Sequence, residues 1–318
     1  MCGGGKTEVL FRGIETGLKA GKRICIATPR TDVVLELAPR LKSAFPSIHI
    51  TALYGGSEDR HTYSPLVIST THQLCRFRDA FDMMIIDEVD AFPYSMDRSL
   101  KFAVEKSKKA DASVILLTAT PSPDMKRDRQ RGRLQAVKIP ARYHRKPIPL
   151  PQLKWSGHWK KQLERGLIPK TLQHWIEFRL EKEIPFLLFF PSITMMEYAL
   201  PLFQKLDRRL LSVHSEHPER KGRVQSLRNR EIPGLLTTTI LERGVTIERL
   251  DAAVIGAEHE VFTESALVQI AGRVGRSASF PIGNVTFFHY GKSEAMVSAA
   301  RHIEMMNKEA AKRGLLDV

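Results

Sequence analysis

The sequence predicts an α/β protein of two domains, each a parallel β-sheet flanked by helices. Short apolar segments of strand length alternate with longer segments of helical periodicity, which is the pattern of a sheet buried on both faces. The alternation is interrupted once, by a stretch with four prolines, and then resumes. An acidic motif follows one of the strands, at the end where open parallel sheets bind ligands.

The first half of the chain contains a series of apolar segments bounded by turn residues or by helical patterns. The predicted strands are 22–28, 49–54, 66–70, 83–86 and 113–118. The pattern of an edge strand follows at 134–139. The predicted helices are 8–21, 31–45 and one that begins in 71–77.

The proline-rich stretch is the best candidate for a linker, because prolines hold a chain extended and semi-rigid. Its prolines are Pro140, Pro147, Pro149 and Pro151. The sequence therefore predicts a first domain over 1–139, a linker over 140–152 and a second domain over 153–318.

Strand and helix patterns alternate again after the linker. The predicted strands are 185–190, 210–214, 234–239, 252–256 and 284–290. The predicted helices are one or two within 159–182, then 194–206, 219–228, 263–274 and 293–313.

The composition is that of a globular protein with a polyanionic partner. The 318 residues are 42% hydrophobic and include 49 Lys and Arg against 35 Asp and Glu, a net charge of +14. This surplus favours nucleic acid or an anionic membrane face as the partner. Three widely spaced cysteines, Cys2, Cys25 and Cys75, exclude a disulfide framework and a four-cysteine zinc site within this chain. Without a secretory signal or an apolar run of about 18 residues, a soluble intracellular protein is expected.

The first seven residues contain the second half of a phosphate-binding loop. Small residues let backbone N–H groups close around a polyphosphate, Lys6 adds a charge and Thr7 offers a hydroxyl to Mg²⁺. The glycines of this loop are Gly3, Gly4 and Gly5. The full signature would place its first glycine ahead of residue 1, as it would the strand that normally leads into such a loop. Alone, the motif is compatible with either a nucleotide site or a glycine-rich tail.

The acidic motif Asp87-Glu88-Val89-Asp90 ends the apolar strand 83–86. In a Mg²⁺-nucleotide site, Asp87 would bind the metal and Glu88 would polarise the attacking water. An acidic turn without a ligand is the alternative, and the glycine-rich loop upstream argues against it. Asp90 has two interpretations, a site residue or a cap of the next turn.

Residues 269–276, Gln-Ile-Ala-Gly-Arg-Val-Gly-Arg, form a second cluster. Arg273 and Arg276 are three residues apart and would share one face of a helix. Two guanidinium groups stabilise charge on a transferring γ-phosphoryl group, and Gln269 would complete this part of the site. A basic helix end that complements the helix dipole is the alternative. Because the acidic motif belongs to the first domain, the nucleotide is expected in a cleft between the domains.

Taken in order, these motifs resemble those of the superfamily 2 helicases over nearly the whole chain. The resemblance implies two RecA-like domains, an interdomain nucleotide cleft, ATP and Mg²⁺ as cofactors, and ATP hydrolysis as the activity. The matching segments, for motifs I, Ia, Ib and II to VI, are 3–7, 28–30, 69–74, 87–90, 118–120, 189–193, 237–246 and 269–276.

Within this superfamily the sequence is similar to the competence protein ComFA family. The segments that carry the likeness are DEVDAFPYS (87–95), PARYHRKPIPLP (140–151) and TTTILERGVTI (237–247). The resemblance implies an ATP-dependent motor that draws transforming single-stranded DNA into the cytoplasm. It also implies the uptake channel and other competence proteins, at the inner face of the membrane, as partners. Proteins of this family carry a four-cysteine zinc module before motif I, so the chain is identified as an N-terminally truncated member.

The resemblance further implies that DNA crosses both domains, through phosphate contacts that are salt-dependent and nearly blind to sequence. The residues at the matching positions are Arg30, Thr71, His72, Gln73, Thr238 and Arg243. Each of them could equally be a solvated or capping side chain. Three tryptophans could stack on bases, but their helical spacing favours the core; they are Trp155, Trp159 and Trp175.

Two other functions stay open. One is a replication or repair helicase of the PriA type that separates duplexes. Those enzymes carry cysteine-rich zinc modules in their C-terminal half, whereas this chain has no cysteine after Cys75. The other is a DNA-binding remnant that is deficient in ATP hydrolysis, because the strand before the phosphate loop is missing.

Overall fold

The computed structural model describes residues 9–58, 62–215, 217–238 and 247–317. Contacts divide the chain into an N-terminal unit that ends at Val137 and a C-terminal unit that begins at Lys138. Each unit contains one parallel sheet with helices, so the predicted fold class of two parallel-sheet α/β domains is confirmed. The predicted limits at residues 139 and 153 stay predictions.

The described part of the N-terminal unit is built on five parallel strands. They are β1 (Ile24–Thr28), β2 (Ile50–Leu53), β3 (Leu66–Thr70), β4 (Phe81–Ile86) and β5 (Lys108–Leu116). The helices are α1 (Phe11–Lys19), α2 (Thr31–Ala44), α3 (Arg98–Ser107) and α4 (Pro123–Gln130). The strand order in the sheet is β2-β3-β1-β4-β5, with every neighbouring pair parallel.

Strand β1 shows why an uninterrupted apolar segment folds this way. Ile24 and Ile26 enter the hydrophobic cluster on one face of the sheet, and Cys25 and Ala27 enter the cluster on the other. Successive side chains of a strand point to opposite faces, so a central strand covered on both sides requires apolar residues throughout. Burial raises the pKa of the Cys25 thiol, which keeps it protonated and inert.

Three predictions in this unit need correction. Residues 134–139 form no strand, and the helix that begins at Thr71 is a short 3₁₀-helix over Thr71–Arg76. Strand β5 starts at Lys108, five residues before the predicted start at 113. It is the last strand in the order of this sheet, and its residues are half-buried or exposed.

In the C-terminal unit, the described residues form six parallel strands. They are β6 (Gln152–Trp155), β7 (Phe186–Phe189), β8 (Leu211–Val213), β9 (Gly234–Thr237), β10 (Asp251–Ile255) and β11 (Val285–His289). The helices are α5 (Trp159–Glu164), α6 (Lys170–Glu181), α7 (Ile193–Gln204), α8 (Arg220–Arg228), α9 (Glu264–Ala271) and α10 (Glu294–Lys312). The strand order is β6-β11-β10-β7-β9-β8.

The core of this unit lies on both faces of its sheet. In β7, Phe186 and Leu188 pack into one hydrophobic cluster, and Leu187 and Phe189 pack into the other. No helix among the described residues is long and apolar enough to cross a membrane.

The segment 138–151, called the strap below, packs on the C-terminal unit. Ile148 is 2% exposed and belongs to the same cluster as Leu187. The backbone N–H of Ile148 donates to Oδ1 of Asn307 in α10, and Nδ2 of Asn307 donates back to the Ile148 carbonyl. The prediction of an extended linker over 140–152 therefore overlaps a segment that contributes to the core, and Gln152 already belongs to β6.

Candidate nucleotide and nucleic-acid site

Four motif segments of the N-terminal unit begin at the carboxyl ends of neighbouring strands. Residues 28–30 start at the end of β1, 71–73 follow β3, 87–90 follow β4 and 118–120 follow β5. Because these strands are parallel and adjacent, the segments lie at one edge of the sheet. The fold thus brings together the described residues that were predicted for nucleotide and DNA binding in this unit.

The acidic turn after β4 is attached to the strands on both sides. The Asp87 N–H donates to the Ala27 carbonyl over 2.8 Å, and the Val89 N–H donates to the Leu117 carbonyl over 3.2 Å. Oδ1 of Asp87, whose residue is 9% exposed, accepts a 2.8 Å hydrogen bond from the Glu88 N–H. These contacts fix the direction of the first carboxylate relative to the sheet.

Glu88 has a φ of 58°, in the left-handed region. Such a backbone costs about 1–3 kcal/mol for a residue with a side chain and is commonly found at active sites, where the surrounding structure holds it in place. The strain lies at the residue that the sequence predicts to polarise water.

The sequence left Asp90 open between two interpretations, a site residue or a cap of the next turn. Its Oδ1 accepts a 2.7 Å hydrogen bond from the Thr118 hydroxyl, and its Oδ2 accepts a 3.0 Å bond from the Thr120 hydroxyl. The carboxylate therefore joins the acidic turn to the segment that follows β5.

The acidic turn fits a Mg²⁺-nucleotide complex by its donor chemistry. Mg²⁺ prefers oxygen ligands and is usually bound by one or two protein carboxylates together with phosphates and water. Asp87 and Glu88 supply two adjacent carboxylates at the strand end where such a complex binds in this class of sheet.

The candidate DNA-binding residues of this unit differ in exposure. His72 is exposed, Gln73 and Arg30 are half-buried, and Thr71 is buried. Arg30 precedes the first turn of α2. His72 and Gln73 lie on the 3₁₀-helix, and Oε1 of Gln73 accepts from Nη1 of Arg76 over 3.4 Å.

In the C-terminal unit, the predicted catalytic residues lie at the end of α9. Gln269 and Arg273 are buried, with 7% and 6% exposure, and Arg276 is half-buried. Nε2 of Gln269 donates to the Ser265 hydroxyl one turn earlier, over 3.3 Å.

The prediction of a helix through Val274 is wrong, because α9 ends at Ala271. Gly275 has a φ of 62°, and a Cβ at this position would lie 2.2 Å from the Pro281 carbonyl oxygen. Only glycine fits there. Arg273 and Arg276 therefore belong to an irregular segment, 272–276, called the arginine loop below, and do not share a helix face.

Some predicted residues lie outside the described residues. They are Gly3, Gly4, Gly5, Lys6, Thr7 and Arg243. Thr238 is described and half-buried, directly after β9, and its carbonyl accepts a 3.2 Å hydrogen bond from the Thr237 hydroxyl.

Sequence reasoning missed Arg142, which contacts the arginine loop. Its guanidinium group donates to the backbone carbonyls of Gly272, Val274 and Gly275. The available signal was one arginine inside a proline-rich stretch, which carries no information about a partner 130 residues later in the chain.

The three tryptophans divide between core and surface. Trp159 and Trp175 are each 5% exposed and pack in the core, as their spacing predicts. Trp155 is 65% exposed at the end of β6.

Two family profiles match most of the chain. The profile described as DEAD/DEAH box helicase matches residues 2–127, and the helicase conserved C-terminal domain matches residues 169–278. The division of the chain between them follows the two units of the structure.

Two curated relatives are competence proteins. The chain is 54% identical over 312 residues to competence protein ComFA of Bacillus subtilis (strain 168), covering 98% of this chain and 67% of the relative. It is 39% identical to competence protein ComFA of Streptococcus pneumoniae (strain ATCC BAA-255 / R6), covering 98% and 72%. A transcription-repair-coupling factor of Staphylococcus haemolyticus (strain JCSC1435) is 24% identical, covering 97% of this chain and 26% of that protein.

Solved structures with the same fold include S. cerevisiae Dbp5 bound to RNA and ADP BeF3. The TM-score is 0.61 at 13% identity, with 93% of this chain and 82% of the Dbp5 chain covered. A variant of Dbp5 in the same bound state gives 0.66 at 13% identity, with 100% and 88% covered. At this identity the likeness establishes the fold, two RecA-like domains.

Profiles, relatives and fold agree on the class of enzyme. Nucleotide binding and ATP hydrolysis are properties of the helicase domains that the chain matches over both units. The chain belongs to the ComFA family of competence-associated, ATP-hydrolysing superfamily 2 helicases.

Proposed function

We propose that this chain couples hydrolysis of Mg²⁺-ATP to movement along single-stranded DNA during the uptake of transforming DNA. The observation that carries the proposal is the acidic turn, in which Glu88 has a strained backbone and Asp90 is bound by two threonine hydroxyls from the next motif. The Asp90 carboxylate connects the motif after β4 to the motif after β5. Such a connection suits a nucleotide site that must transmit its state of occupancy to other parts of the unit.

In this proposal the N-terminal unit holds the nucleotide. Gly3, Gly4 and Gly5 surround its phosphates, Lys6 neutralises phosphate charge, and Thr7 and Asp87 bind the metal. When bound, Mg²⁺ would neutralise charge that develops on the phosphate oxygens. Glu88 accepts a hydrogen bond from the attacking water and orients it.

Three residues of the C-terminal unit serve the same reaction. Arg273 and Arg276 stabilise charge on the γ-phosphoryl group, as arginine fingers do, and Gln269 contributes to the same polar surface. Gln269 and Arg273 are buried, which supports a role in which the side chain is held in a fixed orientation instead of being solvated.

The DNA would contact Arg30, Thr71, His72 and Gln73 in the first unit and Thr238 and Arg243 in the second. The place of the first four at the strand ends of the first sheet, and the net charge of +14, support this assignment. From the ComFA relatives we infer that the motor works with other competence proteins at the inner face of the cell membrane, beside the uptake channel.

The direct test is ATP turnover with and without single-stranded DNA. We expect single-stranded DNA to stimulate hydrolysis, and Lys6→Ala to abolish it by removing phosphate binding. Movement is measured separately, as ATP-dependent displacement of streptavidin from biotinylated single strands. Absence of stimulation by DNA would favour the alternative of a DNA-binding remnant.

The similarity to transcription-repair-coupling factors favours, as a second candidate, a helicase of DNA repair. A strand-separation assay on forked duplexes distinguishes the two functions. Duplex unwinding at the rate of single-strand movement would support the repair function, and movement without unwinding would support DNA uptake.

A further inference from the structure

The Arg142 side chain is one of the largest fully buried groups of the protein, with its residue 2% exposed. Its Nη1 donates to the Val274 carbonyl over 2.9 Å and to the Gly275 carbonyl over 2.6 Å. Its Nη2 donates to the Gly272 carbonyl over 3.1 Å. One guanidinium group thus binds three backbone carbonyls within four consecutive residues.

A guanidinium group suits this position for two physical reasons. The three carbonyls lie just beyond the C-terminal end of α9, where the negative end of the helix dipole makes a cation favourable. The planar fork of arginine reaches several acceptors in one fixed arrangement, which an ammonium group does not. A buried charge is costly unless it is hydrogen-bonded, so these three bonds also keep Arg142 inside the unit.

Two of the three carbonyls belong to the peptide units that lead into the arginines. The Gly272 carbonyl is in the peptide unit directly before Arg273, the Gly275 carbonyl is in the one directly before Arg276, and the Val274 carbonyl lies between them. A change in the direction from which the backbone enters either arginine therefore rotates a peptide unit that Arg142 binds. The lack of space for a Cβ atom at Gly275 also restricts the backbone of the arginine loop.

The backbone that carries Arg142 is itself anchored. On one side of it, Lys138 pairs with Glu309 of α10. On the other side, Ile148 exchanges two hydrogen bonds with Asn307, and Arg145 donates to the Gly314 carbonyl over 2.8 Å. The strap therefore connects α10, the last helix of the unit, to the arginine loop, with Arg142 binding three of the loop's carbonyls.

We propose that Arg142 is a positioning residue for ATP hydrolysis, which holds Arg273 and Arg276 in the geometry that the transition state requires. It acts through the backbone of the arginine loop and does not touch the nucleotide. The proposal rests on the finger role proposed above for the two arginines. Its physical basis is preorganisation, because groups fixed in advance stabilise developing charge without reorganising during the reaction.

The test compares two buried arginines of the same unit. Arg142→Lys keeps the charge but not the fork. Arg179→Lys is its matched control, since Arg179 is 6% exposed and its guanidinium group binds Asp251 and the Trp175 carbonyl instead of the carbonyls of the arginine loop. Arg142→Met removes the donors entirely. DNA-stimulated ATPase kinetics, nucleotide titration and thermal unfolding are measured for each variant.

We expect Arg142→Met to lower kcat by about 100-fold, as a displacement of about 1 Å in a catalytic group does. Arg142→Lys should give a smaller loss, and both variants should keep the KM for ATP within about twofold, because the fingers act on the transition state. Arg179→Lys should lower the unfolding temperature and leave kcat unchanged. Combining Arg142→Met with Arg276→Ala should lower kcat by less than the product of the two separate losses, because Arg276→Ala already removes part of what Arg142 positions.

A wild-type kcat in both Arg142 variants, or losses that simply multiply in the double variant, would overturn the proposal. If Arg142→Met does not fold, the lysine variant decides. Amide hydrogen exchange of the peptide that covers 272–276 is a readout independent of turnover. It should rise in Arg142→Lys and not in Arg179→Lys. If the wild-type chain hydrolyses no ATP, the proposed function fails, and unchanged exchange would separately sink the positioning role.

Discussion

The Thr118 hydroxyl donates a 2.7 Å hydrogen bond to Oδ1 of Asp90, across 28 residues of sequence. The same hydroxyl oxygen accepts a 3.0 Å hydrogen bond from the Thr120 N–H, and the Thr120 hydroxyl donates to the other oxygen of Asp90. Both oxygens of the Asp90 carboxylate therefore accept hydrogen bonds from the loop after β5. One acidic side chain holds that loop to the acidic turn.

Thr118→Val should destabilise the N-terminal unit by about 1–3 kcal/mol, because it leaves an Asp90 oxygen and the Thr120 N–H without their partner. Thr120→Val removes a single hydrogen bond and should cost less. Urea unfolding of both variants and of Asp90→Asn, arranged as a double-mutant cycle, measures the coupling. Additive losses for Thr118→Val and Asp90→Asn would contradict the bond.

Glu88→Gln should lower DNA-stimulated ATP turnover by at least about 100-fold, because the amide cannot accept a proton from the attacking water. Nucleotide affinity should change little. The matched control is Glu105→Gln, an exposed carboxylate of α3 in the same unit that pairs with Lys108. Retained turnover in Glu88→Gln, measured by phosphate release, would refute the assigned role.

Arg276→Ala should reduce kcat by about 1,000-fold or more, the range found for arginine fingers, with a smaller effect on ATP binding. Single-turnover kinetics and nucleotide titration separate the two effects. Arg301→Ala, at an exposed position of α10, should leave both unchanged. Equal losses in binding and hydrolysis would argue for a ground-state contact instead.

Arg30→Ala should weaken single-stranded DNA binding uniformly across sequences and reduce the slope of log K against log[salt] by about 1. Fluorescence anisotropy at several salt concentrations gives this slope. Arg12→Ala, at an exposed position of α1, serves as a control of equal charge. A slope that changes equally in both variants would mean that only overall charge is being measured.

Arg179→Ala should destabilise the C-terminal unit by about 3–5 kcal/mol, because it leaves Asp251 buried without its partner. In the native unit Nη2 of Arg179 lies 2.9 Å from Oδ2 of Asp251. Burial, the largest cause, raises the pKa of Asp251 in spite of Asn284 and Arg179, and it lowers the pKa of Arg179.

The pH dependence of this loss follows from the direction of the Asp251 shift. A carboxyl group with a raised folded-state pKa binds a proton more readily in the folded chain than in the unfolded one. The deficit of Arg179→Ala should therefore be largest at neutral pH and shrink as the pH falls toward that raised pKa. A deficit that grows on acidification would exclude this account. Lys182→Ala, which breaks an exposed pair with Glu181, should cost at most about 1 kcal/mol at any pH.

The fold class could be predicted because its signal is local. The four residues of β7 are all buried. An apolar segment without alternation is typical of a strand in a sheet that is covered on both faces. The end of α9 could not be predicted in the same way. Val274 is fully buried, so the apolar periodicity continues three residues beyond Ala271, where α9 ends.

The candidate site could be predicted in its residue types and only partly in its geometry. Asp87 and Glu88 follow a strand and are recognisable from that position alone. The partners of Asp90 and of Arg142 are distant in sequence, and their contacts depend on tertiary structure. Residues in a stretch rich in proline and arginine suggest an extended, solvated linker, and nothing local indicates that Arg142 is buried.

The strap also determines where this protein can be divided. A fragment that begins at residue 153, after the last proline, would lose Ile148 from its core and the donor for three carbonyls of the arginine loop. A fragment that begins at Lys138 keeps both. For isolating the C-terminal unit, or for exchanging it with that of another motor, the transferable module therefore starts before the prolines, and chimaeras joined after them would inherit a poorly ordered arginine loop.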